Sequence, residues 1–360
     1  MKERESVSEP RHKVNHIVVL GAGAWGTALA IAAHRAGRQV TLCARREELA
    51  AKMAATRVNE TYLPGCPIDP AIALTSDATI VAAADAVLLA PPAQHLRGTL
   101  DQIAAHWGNA AAVICAKGIE RTTGLLMPEI VAECLPGRKL AMLSGPTFAA
   151  EVARDLPAAV TLAASDAGTR EALIAALGTR RFRTYGSDDP IGAAVGGAAK
   201  NVLAIGCGIV AGRGLGENAR AALVTRALVE IQLLARAKGG RPETPMGLSG
   251  LGDLLLTCTS PQSRNYSLGA ELGAGRPLEA ILAGRRSVAE GVETAAALGM
   301  LARRLGLDMP IAFAVEAVLH GGATIEAAIE MLLGRPLRAE LAGSAGRAEL
   351  NGSGNRPAKG

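Results

Sequence analysis

The sequence predicts an α/β domain with a mainly parallel sheet, followed by an all-α domain. Up to about residue 190, apolar runs of strand character ("HIVVL", "QVTLCA", "AVLLA", "AAVICA", "LAMLS", "AAVTLA") alternate with helical patterns, the order expected of βαβ units. Beyond about residue 190 the strand signals stop, and helical segments follow one another with breaks at "GRGLG", "GGRPETP" and "TSPQS". A length of 360 residues suits roughly two domains. The expected boundaries are 16–190 for the α/β domain and 191–340 for the helical one. An N-terminal extension covers 1–15, and the Gly-rich polar stretch 341–360 reads as a disordered tail.

Composition removes several classes of function. Apolar residues make up 49% of the chain, but the longest uncharged run, 17–33, is interrupted by three glycines. It reads as a strand plus a helix, so no stable membrane insertion is expected. The opening "MKERESVSEPRHKVNH" has charges and a proline where a secretory signal needs an apolar block, which points to a soluble, cytoplasmic protein. The six cysteines, at 43, 66, 115, 134, 207 and 258, show no zinc-ligand spacing and read as free, mostly buried thiols. A net charge of +5 could suggest nucleic acid, but aromatic residues are only 2% of the chain, too few for a base-stacking surface. Small anionic ligands account better for the positive balance.

Taken in order, the first element is the most informative. In "HIVVLGAGAWGTALAIAAHRAGRQVTLCARREE", Gly21, Gly23 and Gly26 follow a strand and open a helix. The first glycine allows a tight turn, the second admits a pyrophosphate to the backbone, and the third lets helix and strand pack closely. The helix start offers free N–H groups to the phosphates. Within its full strand–turn–helix–strand setting this is the fingerprint of a Rossmann-type dinucleotide site. The second strand ends in Arg45 and Arg46 rather than the acidic residue that binds ribose hydroxyls in NAD-preferring sites. Guanidinium groups there attract a 2′-phosphate, so NADP is expected alongside NAD. For Arg46, a place on a solvated turn is an equal alternative.

The later strands bring further groups to their carboxyl ends, where open α/β sheets bind ligands. Pro91-Pro92 fixes a rigid loop, Lys117 follows its strand directly, and Ser144-Gly145-Pro146-Thr147 precedes a helix. Lys117 is a ligand candidate, with a solvated loop lysine as the plain alternative. In the helical half, "VGGAAKNVLAIGCGIVAG" is almost wholly small and apolar yet carries Lys200. Burying an ammonium without a partner is costly, so Lys200 is either exposed or put to use. Asp253 follows a Gly-rich turn and could act as a helix cap or as a ligand. Ser263-Arg264-Asn265 opens a helix, where a capping hydroxyl, a forked guanidinium, an amide and free N–H groups also make a phosphate site.

"GAGAWGTALA", "AKGIE", "LSGPTFAAEVA", "GGAAKNVLAIGCGIVAGRGLGENARAALVTR", "MGLSGLGDLLLTCTSPQSRN" and "VAEGVETA" together resemble the NAD(P)-dependent sn-glycerol-3-phosphate dehydrogenases of the bacterial soluble type. The resemblance runs in order from about residue 16 to 335. It implies an oxidoreductase that interconverts glycerol 3-phosphate and dihydroxyacetone phosphate, supplies glycerophospholipid synthesis and forms a homodimer. By the same resemblance Lys200 is the proton acceptor, and Lys117, Gly145, Thr147, Lys200, Asp253, Ser263, Arg264 and Asn265 hold the substrate. Ala24, Trp25, Arg45, Lys117, Ala149, Arg264, Val288 and Glu290 match positions around the cofactor. Two positions depart from the pattern: Cys43 stands where the family often has a bulkier residue, and Ala24 replaces a common serine, which removes a hydroxyl from the phosphate cradle.

This reading answers the puzzle of Lys200. Hydride transfer from a secondary alcohol needs a base for the hydroxyl proton, and the reverse reaction needs an acid. A lysine serves both if its pKa is brought down. Desolvation and the charge of Lys117 are expected to lower it, while Asp253 and the substrate phosphate oppose them. Two rival readings account for less of the sequence. A two-domain 3-hydroxy-acid dehydrogenase would share the glycine turn and the lysine–asparagine helix but would not need "SRN" at a helix start. A non-catalytic NADP sensor would need neither Lys200 nor Arg264.

Overall fold

The computed structural model describes residues 13–285 and 290–336. Most of the expected N-terminal extension, the expected tail and Val288 lie outside these residues. The strands are β1 (His16–Leu20), β2 (Gln39–Cys43), β3 (Val58–Asn59), β4 (Leu63–Pro67), β5 (Ala73–Thr75), β6 (Ala86–Leu89), β7 (Ala111–Ile114), β8 (Leu140–Ser144), β9 (Ala158–Ala163) and β10 (Phe182–Ser187). Among the described residues eight of them form one sheet in the order β10-β9-β8-β7-β6-β1-β2-β5, and β3 pairs with β4 in a separate antiparallel ribbon.

The helices accompanying the sheet are α1 (Ala24–Arg35), α2 (Glu47–Thr56), α3 (Leu96–Ile103), α4 (Met127–Cys134), α5 (Ala149–Ala153) and α6 (Ala167–Leu177). Those that follow it are α7 (Pro190–Gly212), α8 (Gly216–Ala237), α9 (Asp253–Thr259), α10 (Arg264–Gly273), α11 (Leu278–Ala283), α12 (Glu290–Arg304), α13 (Pro310–His320) and α14 (Ile325–Leu333).

Strand β1 is buried on both faces. Ile17 and Val19 enter the core on one side of the sheet and Val18 and Leu20 the core on the other, which is why the segment reads as an unbroken apolar run rather than an alternation. The chain proceeds from β1 outward to β2 and β5, then returns across to β6 on the opposite flank of β1. That reversal opens a crevice at the carboxyl ends of β1 and β6.

Two features differ from the sequence expectation. The short strands β3, β4 and β5 and the polar edge strand β10 ("FRTYGS") carry no clear strand signal, because Pro64, Gly65 and Pro67 interrupt one and exposed polar residues dominate the other. Strand β9 also runs antiparallel to β8, with Leu143 opposite Leu162, while β9 and β10 are parallel to each other. The connection from β8 holds only the five-residue α5, too short a helix to carry the chain back to the other end of the sheet.

The helical half is built around α7. Asp189 caps its start by accepting from the Gly192 N–H and also accepts from the Arg241 N–H and the Thr244 hydroxyl. Its mean hydropathy of 1.6 and 23 residues would suffice to cross a bilayer, but that apolar window is wholly buried inside the protein. Glycines on both partners bring α7 and α10 close: a Cβ at Gly208 would stand 2.1 Å from the Tyr266 carbonyl oxygen, and one at Gly269 2.0 Å from that of Ile205. All six cysteines are free, five of them buried.

Candidate active site

At the crevice, Gly21 turns the chain with φ +101°, and a Cβ there would stand 2.8 Å from the Ala90 carbonyl carbon. Only glycine suits both the conformation and the approach. The Gly21 N–H donates to the Cys43 carbonyl at 3.0 Å, which ties the turn to the end of β2. A Cβ on Gly26 would lie 1.8 Å from the Gly21 carbonyl oxygen, whereas one on Gly23 would meet nothing within 4 Å. The middle glycine therefore faces open space at the start of α1, where no side chain caps the helix. The indole N–H of Trp25 is buried there without a hydrogen-bond partner among the described residues. An open cradle over uncapped N–H groups, with an unpartnered donor beside it, fits a dinucleotide. Ala24 and Trp25 form the first turn of α1, and Arg45 and Arg46 stand exposed just beyond β2.

The charged part of the site collects residues from distant parts of the chain. Asp253, fully buried, accepts from Lys200 Nζ through Oδ1 and from Lys117 Nζ through Oδ2, each at 2.6 Å. Lys117 Nζ also donates to the Gly145 carbonyl at 3.2 Å, and the Thr147 hydroxyl donates to the same oxygen at 3.3 Å. The Asp253 carboxylate thus spans two ammonium groups rather than capping its helix, and the Lys117 ammonium is held by Asp253 and the Gly145 carbonyl rather than loose on a solvated loop. Small residues make this possible, since Gly197 of α7 faces Ser144 Oγ and the Lys117 side chain.

Thr257, one turn after Asp253, accepts from Lys200 Nζ at 3.0 Å and donates to the Asp253 carbonyl at 2.6 Å. Sequence reasoning missed it, although a spacing of four on one helix puts it on the same face as Asp253. Burial pulls the Lys200 pKa down, the nearby Lys117 charge adds to the fall, and Asp253 and Glu290 oppose it. These are the causes expected from the sequence, with Glu290 added.

At the start of α10, the Ser263 hydroxyl accepts from the Tyr266 N–H, as an N-cap does. Asn265 donates to Asn201 Oδ1 at 2.9 Å and accepts from the Gly291 N–H at 3.1 Å, joining α7, α10 and α12. Asn201 is a second residue whose part in the site the sequence alone did not establish. Burial pushes the Glu290 carboxyl up, and the charges of Arg264, Lys200 and Lys117 oppose that rise, so these groups share one electrostatic neighbourhood. Among the described residues, Lys117, Lys200 and Arg264 bring positive charge to the neighbourhood of the Asp253 and Glu290 carboxyls. Ala149 opens α5 beyond Thr147. Arg45 and Arg46 are exposed after β2, which β1 and β6 separate in the sheet from β7, the strand that Lys117 follows.

Residues 16–170 match the family model described as the NAD-dependent glycerol-3-phosphate dehydrogenase N-terminus, and residues 189–330 match its C-terminus. The chain belongs to this family.

Curated relatives are close: a glycerol-3-phosphate dehydrogenase [NAD(P)+] of Rhodospirillum rubrum is 56% identical over 91% of this chain and 94% of its own. One of Parvibaculum lavamentivorans is 52% identical over 90% and 98%. The crystal structure of glycerol-3-phosphate dehydrogenase from Coxiella burnetii superposes with a TM-score of 0.86 at 36% identity, covering 90% of this chain and 99% of that one. The family's two matched segments meet at the lysine pair, since Lys117 lies in the first and Lys200 and Asp253 in the second.

Proposed function

We propose that the chain interconverts sn-glycerol 3-phosphate and dihydroxyacetone phosphate with NAD(P)(H), and that Lys200 is its proton donor and acceptor. The observation that carries this reading is the Lys200–Asp253–Lys117 cluster, whose Lys117 follows β7 at the same carboxyl edge of the sheet as the open glycine turn after β1. A nicotinamide coenzyme held at the glycine turn would supply the hydride for the keto carbon or accept it from the alcohol carbon. The protein's own residues do the remainder. Gly21, Gly23 and Gly26 shape the turn that receives the pyrophosphate, with Ala24, Trp25, Arg45, Ala149 and Glu290 around the coenzyme.

Lys200 delivers a proton to the ketone oxygen as the alcohol forms and takes it back in the other direction. A lysine pulled down by burial loses and regains its proton more readily than an ordinary one. Asp253 fixes the direction of both lysines, so that Lys117 adds positive charge without displacing Lys200. Arg264, Ser263 and Asn265 receive the substrate phosphate at the start of α10, with Gly145 and Thr147 closing the opposite side. A 3-hydroxy acid would leave this phosphate anchor unused.

The product is the three-carbon phosphate from which glycerophospholipids are built. A cytoplasmic location and a homodimer, as the resemblance implies, belong to the same reading. Purified protein mixed with NADPH and dihydroxyacetone phosphate should lose nicotinamide absorbance in step with glycerol 3-phosphate formed. Absence of turnover with both NADPH and NADH would overturn the assignment.

A further inference from the structure

We infer that Asn59, with Thr27, is a positioning residue for the coenzyme: it holds the glycine turn in the conformation that receives the pyrophosphate. The inference rests on the dinucleotide site of the proposed function and extends it to a residue outside the glycine motif. Asn59 lies on β3, in "RVNETYLPG", and both it and Thr27 are fully buried. Its Nδ2 donates to the Ala22 carbonyl at 3.0 Å and to Thr27 Oγ1 at 2.8 Å. Thr27 Oγ1 in turn donates to the Gly23 carbonyl at 2.8 Å, and Asn59 Oδ1 accepts from the Tyr62 N–H at 3.2 Å.

The orientation of this amide is fixed by its partners. The reverse orientation would set Oδ1 against the Ala22 oxygen and the NH2 group against the Tyr62 N–H, pairing acceptor with acceptor and donor with donor. Every hydrogen of the Asn59 amide is therefore committed to the turn.

The consequence follows from the planar trans peptide, in which a carbonyl and the next residue's N–H point in opposite directions. Holding the Ala22 and Gly23 carbonyls toward Asn59 and Thr27 turns the Gly23 and Ala24 N–H groups away from them. Those N–H groups flank Gly23, where a Cβ would meet nothing within 4 Å. Asn59 thus sets the direction of the Gly23 N–H directly. Thr27, which donates both its hydroxyl and its backbone N–H to the Gly23 carbonyl, sets that of the Ala24 N–H with Asn59 behind it, so both donors are aimed before any anion arrives and binding has less ordering to supply. No charge is used, so the effect applies to NADH and NADPH alike.

The test compares Asn59→Leu, which keeps the size and removes both donors, with Thr27→Val and its conservative counterpart Thr27→Ser. Dissociation constants for NADH and NADPH, and inhibition constants for ADP-ribose and adenosine 2′-monophosphate, are measured on the full-length protein. Asn59→Leu should weaken both coenzymes and ADP-ribose by about tenfold, the usual scale for lost buried hydrogen bonds. Adenosine 2′-monophosphate, which has no pyrophosphate, should change by less than about twofold, as should the KM for dihydroxyacetone phosphate at saturating NADPH.

Thr27→Val should weaken coenzyme binding in the same pattern and Thr27→Ser should restore it, which decides the matter if Asn59→Leu fails to fold. Folded variants that bind both coenzymes as the wild type does would overturn the inference, as would equal losses for ADP-ribose and adenosine 2′-monophosphate. A wild-type protein that binds neither coenzyme would instead overturn the proposed function, and this inference with it.

Discussion

The two ends of the crevice meet opposite electrostatic demands. At the glycine turn the chain offers backbone N–H groups, and its geometry is held by neutral hydrogen bonds from Asn59 and Thr27. At the helical end it sets one buried and one half-buried ammonium group against a buried carboxylate, with Thr257 as an added partner of Lys200. A backbone site is written in contiguous residues and tolerates no Cβ where chain meets chain. A side-chain site is assembled across the fold, tolerates shape changes better, and fails when one charge loses its partner.

The largest effect should come from breaking the charged end. Asp253→Asn leaves Lys200 and Lys117 facing a neutral amide, and loss of one partner of a buried ion pair costs about 3–5 kcal/mol. Denaturant unfolding should show a loss of that size near neutral pH, together with a large fall in turnover. A stability change under about 1 kcal/mol would mean that the two lysines are solvated in the protein as it works.

A buried carboxylate elsewhere sharpens the same comparison, because its hydrogen bonds come from backbone N–H groups rather than from ammonium groups. Glu230 accepts from the Ile311 and Ala312 N–H groups at the start of α13. Burial pushes its carboxyl up from 4.5 to about 7 despite those bonds. The folded state therefore holds the proton more tightly than the unfolded chain does, so this stabilisation is complete below 4.5 and is lost as the pH rises through about 7. Relative to Glu230→Gln, the wild type should lose about 3 kcal/mol across that window. Unfolding free energies of the two proteins that run parallel across the window would show that Glu230 is ionised throughout.

A smaller effect belongs to the coenzyme end. Arg45→Asp should raise the KM for NADPH by about tenfold and leave that for NADH nearly unchanged, since a carboxylate repels the 2′-phosphate and pairs with free ribose hydroxyls. Equal changes for both coenzymes would place the 2′-phosphate away from Arg45.

The contrast between the two ends also explains what the sequence alone reveals. The glycine turn, the alternation of strands and helices, and Ser263 at the start of α10 are legible because their causes lie within a few residues of one another. The pairing of Lys117 with Asp253 spans 136 positions and that of Lys200 with Asp253 spans 53, so no local pattern announces either. Only resemblance placed those residues in one site. Asn59 escaped for the same reason, lying 32 positions from Thr27. Strand β9 has a clear apolar pattern, yet its direction depends on how far the short α5 connection can carry the chain.

The central claim is that the lysine buried in α7 moves the proton while the glycine turn holds the coenzyme. Lys200→Met tests it most directly, because the substitution keeps the length of the side chain and suits the apolar neighbours. Turnover of dihydroxyacetone phosphate with NADPH should fall by about 10²-fold or more, the scale of a positioned acid–base group, while the NADPH dissociation constant stays at its wild-type value. A folded Lys200→Met protein that binds NADPH normally and turns over at a near-normal rate would contradict the account and make Lys200 a structural partner of Asp253.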